Sequence, residues 1–331
     1  MKTLKLDFCN FWGSFKKEDN LFIRLLSRHY DVKISEQPDF LICSNRGVPF
    51  EYMKYDCPRL MFMGENVEPD FTAMDYVLGF DFMEFGDRYF RLPFAFYNDD
   101  SKPWIPEIVT EDYARELLKK KKDNFCVFCY SHTTKDGIRE QFFKDLSKGV
   151  RQVTSIGPSL NNIGVTKRIS YAERSNYISR SKFMISFENM RFPGYVTEKI
   201  IDPLRLHTIP IYYGSPQIKE DINAKAIIEV NEIPNFEEAI ERVRYLDTHD
   251  DAYIEMLCQP PLLSDDYQVK LYERLEEYLV RIFSQDKEKA YRRARWYVAS
   301  THEACLKRYW RYSQKVPSIV KRIVEKLGWE L

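Results

Sequence analysis

Over the first hundred residues, apolar runs alternate with amphipathic ones: LKLDFCNF, NLFIRLLSRHY, DFLICS, RLMFMGEN and YVLGFD. The apolar runs end in Gly, Asn or Asp, and the stretch NLFIRLLSRHY has helical spacing, which predicts an α/β unit. Polar YNDDSKPWIPE, 97 to 107, holds two prolines and predicts a linker, and a charged helix over EDYARELLKKKKD follows it. A second alternation starts at Asn124: strand NFCVFCYS, helix DGIREQFFKDLSK, strand VTSIG, helix YAERSNYISRS, strand KFMISFEN, helix TEKIIDPLRL, strands TIPIYYG and AIIEV, then helix NFEEAIERVRYLDT. Continuous apolar strands between helices imply a parallel sheet covered on both faces.

The pattern therefore predicts two Rossmann-like halves facing a cleft, over 1–108 with the linker and over 109–285. After about Asp265 the chain turns helical and ends in a basic segment, 286–331. No repeat of 20 to 50 residues is visible.

Composition narrows the function. Lysine plus arginine equals aspartate plus glutamate, 50 each in 331 residues, so the basic excess of a nucleic-acid protein is missing. Seven scattered cysteines suit free thiols in a reducing compartment. Cys126 and Cys129 form a C-x-x-C, but inside a strand-like run the two face opposite sides. The N-terminal run is broken by Lys5 and Asp7, which argues against a signal peptide. With no long uninterrupted apolar stretch, the expectation is a cytoplasmic, non-spanning protein.

The chemistry concentrates in SFENMRFPGYVTEKIIDPL, Ser186 to Leu204. A buried strand runs into a helix start, where free N–H groups and the positive dipole end favour an anion. Lys199 in the first turn runs against that dipole, and a bound polyanion accounts for it: ammonium, amides and dipole converge on phosphates. Glu198 diverges from Lys199 by about 100 degrees and needs its own target, such as a carbon that becomes positive. Tyr195 lies near Glu198 if the first turn is already formed. An ordinary helix start with a solvated lysine is the competing reading. Glu188 and Asn189, at the strand end, are read as bonding ribose hydroxyls or orienting Lys199.

The strings FEN, YVTEKI and HTIPIYYGSP together resemble the donor-binding signature of the α-1,3/4-fucosyltransferases, most closely the bacterial members. MGENVEPDF, DYVLGFD, DRYFRLP and GIREQFFKDL are similar to segments of that family in the same order. The resemblance implies a GT-B fold and inverting transfer of fucose from GDP-β-L-fucose to a GlcNAc hydroxyl of N-acetyllactosamine-type or O-antigen glycans. It further implies that Lys199 and Arg139 hold the diphosphate, Tyr195 and Glu198 the fucosyl side, and Glu65 the acceptor.

Beside the resemblance stands a physical reading of each residue. Arg139 follows a strand and can fork onto phosphate oxygens, or be a solvated helix arginine. Glu65 closes an apolar strand, where a raised pKa suits a general base, or it faces water. Arg88, Arg91 and His132 are weaker acceptor-side candidates; structural ion pairing for the arginines and a plain surface position for His132 compete. No D-x-D occurs, and cationic groups can neutralise leaving GDP, so no metal or other cofactor is expected to be required.

From Arg281 to Leu331 there are 13 lysines and arginines against 5 acidic residues. SIVKRIVEKL has an apolar and a basic helical face, and KRYWRY adds aromatics, which suits either an anionic membrane surface or packing on the protein body. Two rival functions remain: a GT-B transferase with another nucleotide sugar, and a catalytically silent, membrane-associated binder of glycan or nucleotide.

Overall fold

The computed structural model describes residues 1–165, 169–230 and 235–315. The chain divides into two compact units, one of Met1–Leu92, Tyr97–Lys102 and the segment from Leu271, the other of Pro93–Phe96 and Pro103–Lys270.

The first unit is built on β1 (Lys2–Cys9), β2 (Tyr30–Ile34), β3 (Phe40–Ser44), β4 (Arg59–Phe62), β5 (Tyr76–Gly79) and β6 (Tyr89–Arg91). All pair in parallel in the order β2-β1-β3-β4-β5-β6. The central strands are buried on both faces, as their unbroken apolar runs require. β2 and β6 lie at the edges and are not legible as strands in the sequence. Helix α1 (Leu21–Leu26) is shorter than NLFIRLLSRHY suggests; Asn20 caps it by accepting from Ile23 N at 3.1 Å.

The second unit carries α2 (Glu111–Lys120), β7 (Asn124–Phe128), α3 (Ile138–Gly149), β8 (Thr154–Ser155), α4 (Tyr171–Arg180), β9 (Ser181–Phe187), α5 (Glu198–Arg205), β10 (Ile209–Tyr213) and β11 (Ile228–Glu229). Two further α-helices, α6 (Glu237–Thr248) and α7 (Asp250–Leu257), follow. Its sheet is parallel, in the order β11-β10-β9-β7-β8. Its core gathers Phe128, Phe142, Phe183, Ile185 and Phe187. The strand order reverses between β7 and β9, and a crevice opens at the carboxyl ends of strands where such a reversal occurs.

The domain limits read from the sequence shift. The chain passes between units at Lys102 and Pro103, inside the expected linker, and again at Lys270 and Leu271 within α8 (Tyr267–Phe283) rather than after residue 285. Beyond Leu271, α8 buries Leu275, Leu279, Ile282 and Phe283 in the first unit, with Phe283 edge-on to Phe40 at 4.9 Å.

Of the segment read as a separate basic tail, 286–331, the described part, 286–315, is attached through its charges. After α9 (Lys287–Ala290), Arg293 pairs with Asp75, and both side chains are almost wholly buried. Arg292 pairs with Asp87 at 2.7 Å. In α10 (Val298–Ser313), Glu303 takes Arg59 at 2.8 Å and His302 takes Asp70 at 2.7 Å. The aromatics of KRYWRY also meet this unit: Tyr309 stands edge-on to Phe50 at 5.4 Å, and Lys54 lies 5.6 Å over Trp310. The amphipathic stretch SIVKRIVEKL lies outside the described residues. Among the described residues, no helix is long and apolar enough to cross a membrane.

Candidate active site at the carboxyl edge of the second sheet

Helix α5 starts one residue later than the sequence suggests. Thr197 is its cap, in extended conformation with its hydroxyl facing Lys199 N, and Glu198 opens the first turn. Tyr195 precedes the cap in non-helical backbone and is buried. The turn before it depends on Gly194, whose φ of 72° is a conformation that side chains rarely adopt.

The centre of the arrangement is Glu188. Its side chain is 0% exposed, which removes any direct role on ribose hydroxyls and leaves the orienting role read for it. Its carboxylate accepts from Thr197 N at 2.8 Å, from the Thr197 hydroxyl at 2.9 Å and from Lys199 Nζ at 3.0 Å. Lys199 also donates to Thr197 Oγ1 at 2.9 Å and stands 3.9 Å from Glu198. One carboxylate thus fixes both the cap and the ammonium. Gly214 makes the room: a Cβ there would lie 2.7 Å from Glu188 Cγ and 2.4 Å from the Tyr212 hydroxyl.

These contacts set protonation. Burial opposes the Lys199 charge, but Glu188 and Glu198 beside it outweigh burial and hold the ammonium above its ordinary range. Burial pushes the Glu188 carboxyl up against the pull of Lys199 and Thr197. Glu198, its side chain about half exposed at 49%, meets a desolvation effect that is overcome by Lys199, its own helix-start amide and Arg174, so its carboxyl lies below the usual range. At neutral pH the site presents an ammonium and a carboxylate side by side.

Arg139 on α3 lies against the Tyr130 ring, 3.8 Å from guanidinium carbon to ring centre. Its Nη2 donates to Phe187 O, Glu188 O and Asn189 Oδ1 at 3.0, 3.1 and 3.2 Å. It is therefore a buried brace on the end of β9, and it engages Asn189 as well. Tyr130 adds a second brace, accepting from Phe187 N at 2.7 Å and donating to Ile185 O at 2.9 Å.

A cavity of about 580 Å³ opens here, of the size that holds small ligands. Arg139, Asn189, Glu198 and Lys199 line it, as do His132 and Arg174. His132, on the loop that leaves β7 in the second unit, is thus a neighbour of Lys199. Cys129 also lines the cavity, beyond the end of β7, so the C-x-x-C is split between a buried strand position and a loop. The loop is held by Glu140, which accepts from Thr134 N and Oγ1 at 3.0 and 2.9 Å.

Arg174, on the first turn of α4, escaped sequence reading. It pairs with Asp202 of α5 at 2.7 Å and brings a further cation to the cavity. YAERSNY carries no linear signal for this, since its partner is 28 residues away.

The first-unit candidates fare differently. Arg88 donates to Asp75 O, Phe71 O and Met74 O at 3.0, 2.7 and 2.6 Å. Arg91 donates to Phe80 O at 2.8 Å and lies 3.9 Å over the Phe82 ring. Both tie loops through backbone carbonyls, the structural role that competed with an acceptor-side one. Glu65 is 35% exposed and pairs with Arg46 at 2.5 Å. Asn45 positions its loop, accepting from Gly64 N at 3.0 Å and donating to Glu65 O at 3.3 Å. Among the described residues, no group of three or more His, Cys, Asp or Glu is disposed to hold a metal ion.

Comparison with known proteins gives two family matches in tandem. Residues 6–97 match the alpha-(1,3)-fucosyltransferase FucT N-terminal domain, and residues 118–258 match the glycosyltransferase family 10 (fucosyltransferase) C-terminal region. The chain is 32% identical over 308 residues to alpha-(1,3)-fucosyltransferase FucT of Helicobacter pylori, covering 82% of this chain and 63% of that protein. It therefore spans less than two thirds of that relative. Alpha-(1,3)-fucosyltransferase B of Drosophila melanogaster is 29% identical over 195 residues, 54% of this chain and 42% of its own length. Among solved structures, an alpha1,3-fucosyltransferase superposes with a TM-score of 0.68 at 29% identity, covering 86% of this chain and 91% of that one. A crystal structure of an alpha1,3-fucosyltransferase with GDP-fucose gives 0.63 at 27%, covering 84% and 91%. The pair of parallel sheets is of the GT-B type.

Proposed function

The chain belongs to glycosyltransferase family 10, the fucosyltransferases, and from that membership we propose that it transfers L-fucose from GDP-β-L-fucose to a sugar hydroxyl. The observation that carries this reading is the Glu188–Lys199 pair at the start of α5, on a cavity that Arg174 and Glu198 also line. An ammonium and a helix N-terminus suit the diphosphate that departs. Arg139 supports them from behind by fixing the end of β9.

The chemistry follows from these charges. As the anomeric carbon separates from GDP it acquires oxocarbenium character, which the Glu198 carboxylate stabilises while Lys199 takes up charge on the leaving phosphate. Glu65 receives the proton of the acceptor hydroxyl, leaving its Arg46 partner as the group that orients it. Displacement in one step inverts the configuration, β in the donor to α in the product. The acceptor is a GlcNAc hydroxyl, in α-1,3 or α-1,4 linkage, of N-acetyllactosamine-type or O-antigen glycans, giving Lewis-type products. Cationic side chains neutralise the leaving group, so transfer proceeds without a required metal.

The test is product formation from GDP-fucose and N-acetyllactosamine with chelator present. Wild type should fucosylate, Glu65→Ala should fall by about 10²–10⁴ in rate, and Lys199→Ala should weaken both donor binding and rate. Failure of wild type to use GDP-fucose, or a strict need for added divalent ion, would overturn the donor or the metal-free part respectively.

A further inference from the structure

The parallel register of the first sheet lines up sulfur. Cys9 of β1 stands opposite Cys43 of β3, and Cys43 stands opposite Met61 of β4. Residues in register on adjacent strands share a face, so three sulfur side chains form a row across three strands. Met74, just ahead of β5, adds a fourth: its Sδ lies 3.8 Å from Cys43 Sγ, and Met61 Sδ lies 4.0 Å from it. All four residues are buried.

Ordinary core packing accounts for one thiol beside one thioether. Here a single weak donor faces more acceptors than it can serve. Cys43 has one S–H proton, yet Leu60 O at 3.7 Å and both thioether sulfurs stand within its reach. The neighbouring thiol adds no vacancy, because its hydrogen bond to Cys43, together with burial, pushes the Cys9 pKa up and keeps its proton in place. Lone pairs gathered in this way around one exchangeable proton suit a soft cation.

The spacing fits such an ion. Three sulfurs at about 2.3 Å around a trigonal centre stand about 4 Å apart, and Cys43 meets both methionines at that spacing. Thiolate and thioether ligands favour Cu(I) over Mg²⁺, Ca²⁺ or Mn²⁺. Charge narrows the choice further: one thiolate neutralises one Cu(I), whereas Zn²⁺ on the same ligands would bury a net charge. Access exists on one side, since Cys9 also lines an open cavity of about 560 Å³ at the end of β1.

We propose that Cys43, Met61 and Met74 form a Cu(I)-binding site inside the first sheet, with the Cys9 thiol hydrogen-bonded to the metal-bound sulfur. On binding, the Cys43 S–H bond breaks, its proton passes to solvent, and a Cu–S bond forms while the two thioethers donate lone pairs. Copper enters and stays as Cu(I). The site is independent of the transferase reading above, and fucosyl transfer makes no use of the ion.

Anaerobic titration of the reduced full chain with Cu(I), in competition with bicinchoninate, tests it. Wild type should take up one tight equivalent, with X-ray absorption showing three sulfurs at about 2.3 Å. Met61→Leu combined with Met74→Leu nearly conserves volume and removes both thioethers. It should weaken that equivalent by more than the roughly 10–100-fold that loss of a mere outer partner costs. Cys305→Ser, which removes the exposed thiol on α10, should leave the tight equivalent unchanged. Unaltered affinity in the methionine double variant, or loss of the tight equivalent in Cys305→Ser, overturns the site. Two-coordinate copper in wild type, or the absence of any tight equivalent, overturns it without recourse to a variant.

Discussion

Lys199 and Glu188 show how a residue's role depends on what surrounds it. Lys199 is legible in the sequence because a cation in the first helical turn contradicts the dipole preference. Glu188 was ambiguous there, and only its burial against Thr197 and Lys199 makes it the group that aims the ammonium. Replacing Lys199 by alanine removes a charge-assisted contact of about 1.5–3 kcal/mol. A roughly 10- to 100-fold fall in kcat/KM for the donor is therefore expected from kinetics at saturating acceptor. Glu188→Ala leaves a buried ammonium without its carboxylate, which costs about 3–5 kcal/mol. Denaturant unfolding should show that loss in the absence of any substrate, whereas Lys199→Met, which removes the buried charge together with its need for a partner, should unfold at higher denaturant than Glu188→Ala.

At the scale of elements, what could be read depended on how an element is buried. Central strands such as β3, β4 and β9 are covered on both faces and appear as apolar runs. Edge strands β2 and β6 pair on one side only, so YDVKI and YFR need no such run and were missed. Lys122, between α2 and β7, joins further elements: its ammonium donates to Ser179 O at 2.8 Å and to Thr208 Oγ1 at 3.0 Å. In the sequence it is the last lysine of the charged helix expected over EDYARELLKKKKD, but burial, with the Lys121 charge nearby, pulls its pKa down to about 7. The unfolded chain, with a lysine pKa of about 10.4, then binds more protons than the folded chain between those two values. Stability should rise with pH across that window, and below pH 7 both states are protonated and the contribution is flat. Chemical denaturation from pH 6 to 10 should reveal the slope, and Lys122→Met should abolish it.

For the whole molecule, the decisive feature is how the end of the chain returns to the first unit. Composition showed an excess of basic residues after Arg281 and left open a membrane face or packing on the protein body. Arg292 and Arg293 pair with Asp87 and Asp75, and Glu303 reaches Arg59, whose side chain is 2% exposed. Breaking a buried pair by removing one partner costs about 3–5 kcal/mol, so Asp75→Ala should lower the unfolding midpoint markedly. Deleting the chain from Asp286 should leave Asp75 and Arg59 without their ion-pair partners Arg293 and Glu303 and yield little folded protein, a result that circular dichroism and solubility would display.

The sequence by itself determined the two α/β series, the helix-start chemistry at Glu198 and Lys199, and the family resemblance. These are local: apolar periodicity, helix-start chemistry and contiguous strings are written in neighbouring residues. Tertiary structure alone decided that Arg88 and Arg91 tie loops, that His132 lies with Lys199, that Arg174 joins the same cavity, and that Arg292, Arg293 and Glu303 clamp onto the first unit. Each of those depends on partners far apart in the chain, Arg59 and Glu303 by 244 positions. Linear spacing carries no record of which charge will be buried against which, because that is settled by the packing of the sheets and not by the helix or strand that bears the residue.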